Sequence, residues 1–486
     1  MLLARWLYLR ALGLVTLVAV GSLWVQLGGL LGSDGIWPAA DQMKQLHAAV
    51  NVGFFDVPTL AWISASDGFL HFLCAATVVL ALLLIAGIFP RLVLGLLWLT
   101  WMSLVHVGGP FLSFQWDVLL IETLFFSIFF APAGLRPRLA DETQPAHWAR
   151  FILQLLAFKL TFSSGVVKLA SGDPSWRDLT ALSYHYWTQP LPAWTSYLAH
   201  QWPMVVHQVC CALMFVCELP MAALALGTRR MRLISAGALF SLQIALAAAG
   251  NYSYFNLLAA VLCLPLLDDE AIRFGIQKWK WQGSEKLPVF TVRPALTARR
   301  TGWAFAAVYG ALSLVLFFRG ASTPLRPFLD VLRPFSTINA YGAFAVMTKT
   351  RPEITLEGSL DGVNWTAWDF KYKPVRVDVR PGFIAPYQPR LDWQMWFAAL
   401  GDCQSNPWLV ATQWKLLKGS APVRGLFATE PFGGQPPKFI RAMVSDYTFA
   451  AWSQEGVWWV AENSRPYCPA LTLDADGQLS ALRENP

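Results

Sequence analysis

Charged side chains are scarce in this sequence. Only 14% of its 486 residues are Asp, Glu, Lys or Arg, 55% are hydrophobic, and the mean hydropathy is +0.43. Soluble globular chains carry about 25% charge, which argues against a single soluble enzyme domain. Disorder, coiled coil and collagen fall with it, because none tolerates this apolar content. Seven histidines, none beyond His207, show no ligand spacing, and seven cysteines contain no C-x-x-C. A zinc or thioredoxin-like site is therefore not expected. The chain also lacks G-x-x-x-x-G-K-[ST], a G-x-G-x-x-G at a strand end and G-x-S-x-G. Neither phosphate-loop nucleotide chemistry nor a serine-hydrolase elbow is indicated, and no metal or cofactor is expected. No repeat of fixed period is present.

Tryptophan, at 24 residues, and a net charge of +7 are present in excess. The charge does not mark a nucleic-acid face. From Ala321 onward the chain has 16 Lys+Arg and 15 Asp+Glu, so the surplus lies among the apolar segments, at their ends. That is a membrane-topology footprint.

Nine stretches read as membrane-crossing helices, at about 9–31, 69–89, 91–108, 112–132, 149–170, 203–227, 232–250, 252–267 and 302–319. With the N-terminus in the cytoplasm, the inner segments hold sixteen Lys+Arg, Arg5 through Arg300, and the outer side only Lys44, Arg177 and Arg319. The bias predicts an odd number of crossings and an extracytoplasmic C-terminal part. The first span is too long for a signal-peptide core and has no A-x-A site after it. The expected fold is a polytopic α-helical membrane domain over 1–320, then a soluble α+β or β-sandwich-like domain over 321–486. There, Glu353–Leu360 and Val363–Tyr372 read as a hairpin turning at Asp361-Gly362. Arg390–Leu400, Pro407–Lys418 and Ala421–Thr429 read as helices, and Phe439–Phe449 and Val457–Glu462 as strands. The outer loop Ser171–Trp202 is rich in aromatics. The inner loop Asp268–Arg300, with Trp279 and Trp281 among lysines, suits the inner leaflet surface.

Ionisable residues inside spans are costly and are functional candidates. The fourth span carries Asp117 and Glu122, the fifth Lys159 and Lys168, the sixth His207 and Glu218. Counting depth at about 1.5 Å per residue predicts two pairs, Glu122 with Lys159 and Asp117 with Lys168. They read either as pairs that hold helix register or as a polar cavity open to the outer face, with Lys168, Asp117 and His185 as candidate catalytic groups. Cys403 and Cys468 both fall in the exported domain, where a disulfide is possible chemistry. Asn251-Tyr-Ser and Asn364-Trp-Thr are sequons, and the second is the better placed in a folded exported domain.

Several blocks resemble the lipase maturation factor family. They include Trp116-Asp-Val-Leu-Leu-Ile-Glu-Thr, Ser164-Gly-Val-Val-Lys-Leu, Leu179-Thr-Ala-Leu-Ser-Tyr-His-Tyr, Thr188-Gln-Pro-Leu-Pro, Ile338-Asn-Ala-Tyr-Gly-Ala-Phe, Pro386-Tyr-Gln-Pro-Arg-Leu-Asp-Trp and Pro436-Pro-Lys-Phe-Ile-Arg-Ala. The resemblance implies a membrane protein that assists folding of secreted lipases, working in the endoplasmic reticulum in eukaryotic members and at the plasma membrane in a bacterium. Its partners would be the bilayer and a lipase-like client, met by the tail domain, and not nucleic acid. Arg390, Asp392, Trp393 and Trp396, on one short helix, are the candidate client contacts. Gly165-Val-Val-Lys-Leu is also similar to the membrane part of vitamin K-dependent carboxylases, where the matching lysine is a base. That resemblance implies the alternative, a membrane enzyme with an outward-facing Lys168. Here one lysine stands where that family has two, and a lysine paired with a carboxylate stays charged.

Overall fold

The computed structural model describes residues 1–139, 142–278, 299–318 and 324–482. Among the described residues, nine helices form a bundle: α1 (Leu2–Trp24), α2 (Asp67–Ala86), α3 (Pro90–Val107), α4 (Gln115–Phe130), α5 (His147–Ala170), α6 (Met204–Leu226), α7 (Arg229–Ala249), α8 (Phe255–Leu262) and α9 (Arg299–Phe317). Among the described residues, seven of these are long and apolar enough to cross a membrane, not the nine expected. The two that fall short are α4, with 16 residues, and α8, with 8. At 1.5 Å per residue they reach about 24 and about 12 Å, against a hydrocarbon core of about 30 Å. A 3-10 turn lengthens each, Gly109–Leu112 before α4 and Leu264–Leu266 after α8.

The helix ends sort into two sets. At one end the terminal ammonium meets Asp269 at 2.7 Å, Arg5 donates to the Thr143 carbonyl, Arg91 to that of Ala131, Arg150 to that of Pro265, and Arg229 pairs with Asp268. These contacts tie the start of α1, the α2–α3 turn, the end of α4, the α6–α7 turn and the end of α8 together. The opposite end meets the C-terminal domain. The short α4 and α8 lie between these two ends, inside the bundle.

Local sequence explains the breaks. Gly87 ends α2 with φ +76°, a left-handed cap that costs glycine nothing, and Pro90 then opens α3. Pro220 cannot donate an amide hydrogen inside α6, and residues Cys217–Met221 form a π-turn around it.

The tail is one antiparallel sheet of β1 (Pro352–Ser359), β2 (Thr366–Ala367), β3 (Phe439–Phe449), β4 (Trp459–Leu473) and β5 (Leu479–Ala481), in the order β2-β1-β3-β4-β5. Helices α10 (Arg390–Ala399) and α11 (Pro407–Leu417) accompany it. It is α+β, and the sandwich alternative is set aside. The expected strand Val363–Tyr372 shrinks to two residues: the Trp368 amide still donates to the Leu356 carbonyl, and beyond it the chain turns from β1 to pair Phe370 with Phe427. The last long strand runs on to Leu473, past Pro466 and Pro469, with irregular register against β3. Ala421–Thr429 is helical only to Arg424. Cys403 and Cys468 are bridged, linking the α10–α11 loop to β4.

Bundle and tail are not separate bodies. The largest buried apolar cluster runs from Tyr8 and Leu119 in the bundle to Trp393, Leu409 and Ile440 in the tail. The expected boundary near 320 and most of the basic inner loop, with Trp279 and Trp281, lie outside the described residues. Because α10 turns Leu391, Trp393 and Met395 into this shared core, the tail expressed alone (residues 324–482) is expected to self-associate. Size-exclusion chromatography with light scattering checks this. A stable, monodisperse monomer would count against the shared core.

A charged joint as candidate functional site

The fourth helix supplies two fully buried carboxylates, Asp117 and Glu122. Glu122 accepts from Lys159 Nζ on α5 at 2.6 Å and from the Tyr309 hydroxyl on α9 at 2.8 Å. The segment after α9 returns to the same group: Asn339 Nδ2 donates at 3.0 Å, and the Tyr341 hydroxyl donates beside it. Four donors from three parts of the chain satisfy one carboxylate, as a buried charge requires. Nearby, Gln115 Nε2 donates to the Gly342 carbonyl at 2.7 Å.

Asp117 does not pair with Lys168. Its partner is Arg390, 273 residues away at the start of α10. The guanidinium makes a two-pronged contact at 3.0 and 3.1 Å, both side chains being fully excluded from solvent. Tyr254 at the head of α8 donates to the same carboxylate at 2.6 Å, and Arg390 also donates to the Phe111 carbonyl. Gln26, at the end of α1, accepts from the Arg390 amide and donates to the Gln388 carbonyl. Trp393 adds edge contacts to Trp116 and Phe114, 4.9 and 5.7 Å between centroids.

Lys168 instead meets both oxygens of Glu218, at 2.7 and 2.9 Å. The π-turn at Pro220 carries this glutamate, and the chains approach closely at Gly165, where a Cβ would crowd Glu218 and Leu219. Depth counting failed here because α6 begins far outside the end of α5: Glu218 lies roughly 20 Å along it from Met204. The available signal was that Glu218 is an acid within a span and Lys168 needs one.

His185 shares no hydrogen bond with either pair, although the Lys168 charge reaches it. The Tyr252 hydroxyl donates to Gln189 Oε1 at 2.7 Å, so the 2.7 Å contact to His185 Nε2 is a hydrogen bond from the imidazole to that hydroxyl. Burial pushes the imidazole down to about 4, leaving it neutral at pH 7 with Nδ1 unpaired. Lys168, Asp117 and His185 thus have three different partners and share no hydrogen bond. Among the described residues no three His, Cys, Asp or Glu side chains are grouped to hold a metal ion.

The four candidate client contacts, Arg390, Asp392, Trp393 and Trp396, are all buried. They form the joint. Trp396 Nε1 donates to the Thr188 carbonyl of the outer loop at 2.8 Å, and Asp392 accepts the Tyr372 and Lys373 amides. Two clamps were not anticipated. Arg351 donates to the carbonyls of Trp187, Gln189 and Pro190. Asn251 donates to the Leu191 and Gly382 carbonyls and accepts the Ile384 and Ala385 amides. With its amide fully engaged, the Asn251 sequon is closed in the folded chain, whereas Asn364 is exposed.

Removing one partner of a buried pair costs about 3–5 kcal/mol, while an apolar replacement of both can be neutral. D117N and R390M alone should each lower the melting temperature of the purified protein sharply. The D117L/R390M double variant should recover much of the loss. A double variant as unstable as the sum of the singles would contradict the pairing. Asp392 yields a pH prediction. Desolvation pushes its carboxyl up to about 6 from 3.8, against the pull of the Lys373 and Tyr372 amides. A raised carboxyl weakens the fold above its folded value and stops doing so as pH falls towards its unfolded one. Wild type should therefore gain stability relative to D392N, on the order of 3 kcal/mol, between pH 7 and pH 4. Parallel melting curves across that range would refute the shift.

Comparison with known proteins covers both parts of this architecture. Residues 3–274 match the family described as Lipase maturation factor transmembrane domain, and residues 337–469 match Lipase maturation factor C-terminal domain. Lipase maturation factor 2 of Mus musculus is 32% identical, over 96% of this chain and 83% of its own length. Lipase maturation factor 2 of Xenopus tropicalis is 31% identical over 97% and 82%. Lipase maturation factor 1 of Mus musculus is 31% identical over 100% and 90%. No solved structure matches. These relatives lend no support to the carboxylase alternative, whose Lys168 is held by Glu218. With both family domains matched in order and the charged joint between them, the chain belongs to the lipase maturation factor family.

Proposed function

We propose that this chain is a membrane-anchored maturation factor for exported lipases, acting through a tail domain held rigidly against its membrane bundle. Family membership over the whole architecture carries this reading. In it the N-terminus is cytoplasmic and the tail lies on the export side, in a bacterial plasma membrane or the endoplasmic reticulum. The gathering of Arg5, Arg91, Arg150 and Arg229 at the end of the bundle away from the tail supports that orientation.

Since α10 is spent on the joint, the client surface lies elsewhere on the tail. A cavity of about 290 Å³ opens beside the outer loop, between Pro192, Phe370, Val375, Ile384 and Trp459. Val379 and Phe383 stand exposed around it, Phe383 capping Trp194. Trp452, 66% exposed, stacks on Tyr197 nearby in the outer loop. Exposed apolar side chains grouped in this way suit an incompletely folded client.

In cells that secrete a lipase, loss of this chain should lower the specific activity of the secreted enzyme, and re-expression should restore it. F383D and W452D should restore it poorly while leaving the melting temperature near wild type. Unchanged lipase activity without the chain would sink the function. Full rescue by both variants would move the client surface elsewhere.

A further inference from the structure

A groove of about 460 Å³ opens at the end of the bundle away from the tail, where α1, the α2–α3 turn and the loop after α4 meet. Arg10, Arg136 and Arg138 line it, and among the described residues no acidic side chain does. The Arg10 guanidinium lies 4.5 Å over the Trp6 ring, and its Nε is buried without a hydrogen-bond partner. It passes flat against Gly87, where a Cβ would collide with its Nη2. Glu142, whose charge reaches Arg10, is engaged by Arg5. Three guanidinium groups, with no carboxylate among the described lining residues, match the charge of a phosphate.

The groove is also continuous with apolar surface. Leu14, one turn beyond Arg10 on α1, and Leu82, one turn before Ala86 on α2, are 48% and 49% exposed. A free anion has no use for that wall, whereas a glycerophospholipid needs both a cationic recess and an apolar track. We propose that this groove binds the phosphate of an anionic phospholipid headgroup, with an acyl chain along Leu14 and Leu82. The assignment of this lipid to the inner leaflet rests on the orientation proposed above. The binding itself does not.

The test is native mass spectrometry of the full-length protein released from nanodiscs of equal phosphatidylglycerol and phosphatidylcholine. Wild type should retain phosphatidylglycerol preferentially, and R136Q/R138Q should lose about tenfold or more of that preference. G87A, which leaves every charge in place but displaces Arg10, should also lose it. Millimolar inorganic phosphate should not displace the lipid. Melting temperatures near wild type for R136Q/R138Q exclude misfolding, since both arginines are exposed. Equal retention of the two lipids, retention unaffected in either variant, or displacement by phosphate would overturn the proposal. Orientation is not read by this measurement, so its failure leaves the topology standing.

Discussion

A carboxylate buried in an apolar bundle must find cations or hydrogen-bond donors, and α4 buries two of them within five residues. Neither can be satisfied by its own helix. Glu122 draws Lys159, Tyr309, Asn339 and Tyr341 towards it, and Asp117 draws Tyr254 and Arg390. Those donors come from α5, α9, the segment after it, α8 and α10. Placing them positions most of the bundle and fixes where the tail sits. The short length of α4 follows: wrapped by protein along its length, it does not have to match the thickness of a lipid core.

This joint explains the unequal success of reading the sequence. The long helices were legible because lipid imposes a period-free apolar run of known length, and α4 and α8 were miscounted because that rule does not govern helices shielded by their neighbours. Glu122 with Lys159 was legible because they lie on helices that follow one another in the chain and run side by side, where residue number converts to depth. Asp117 with Arg390 was not, because a helix that reads as part of a soluble domain supplies the cation. Arg390, Asp392, Trp393 and Trp396 stood out as chemistry-bearing, but a surface contact and a buried joint use the same residue types. Burial, which a local pattern does not report, separates them.

The joint also bears on how a client could be handled. Arg351 grips the outer loop at Trp187–Pro190, Asn251 grips the tail at Gly382–Ala385, and Arg390 locks α10 to the bundle. Three separate clamps, each using a buried side chain against backbone or carboxylate, leave the tail little freedom to swing. A domain tethered by a flexible linker would search a volume; one fixed in this way presents a single face at a set height above the membrane. The lengths of α1 and α7 bear on that height, because Gln26 and Asn251, which hold the tail, lie just past their ends. A maturation factor built so would meet its client at one orientation relative to its own bundle, and on the client surface proposed above that orientation would bring forward the exposed rings of Phe383 and Trp452.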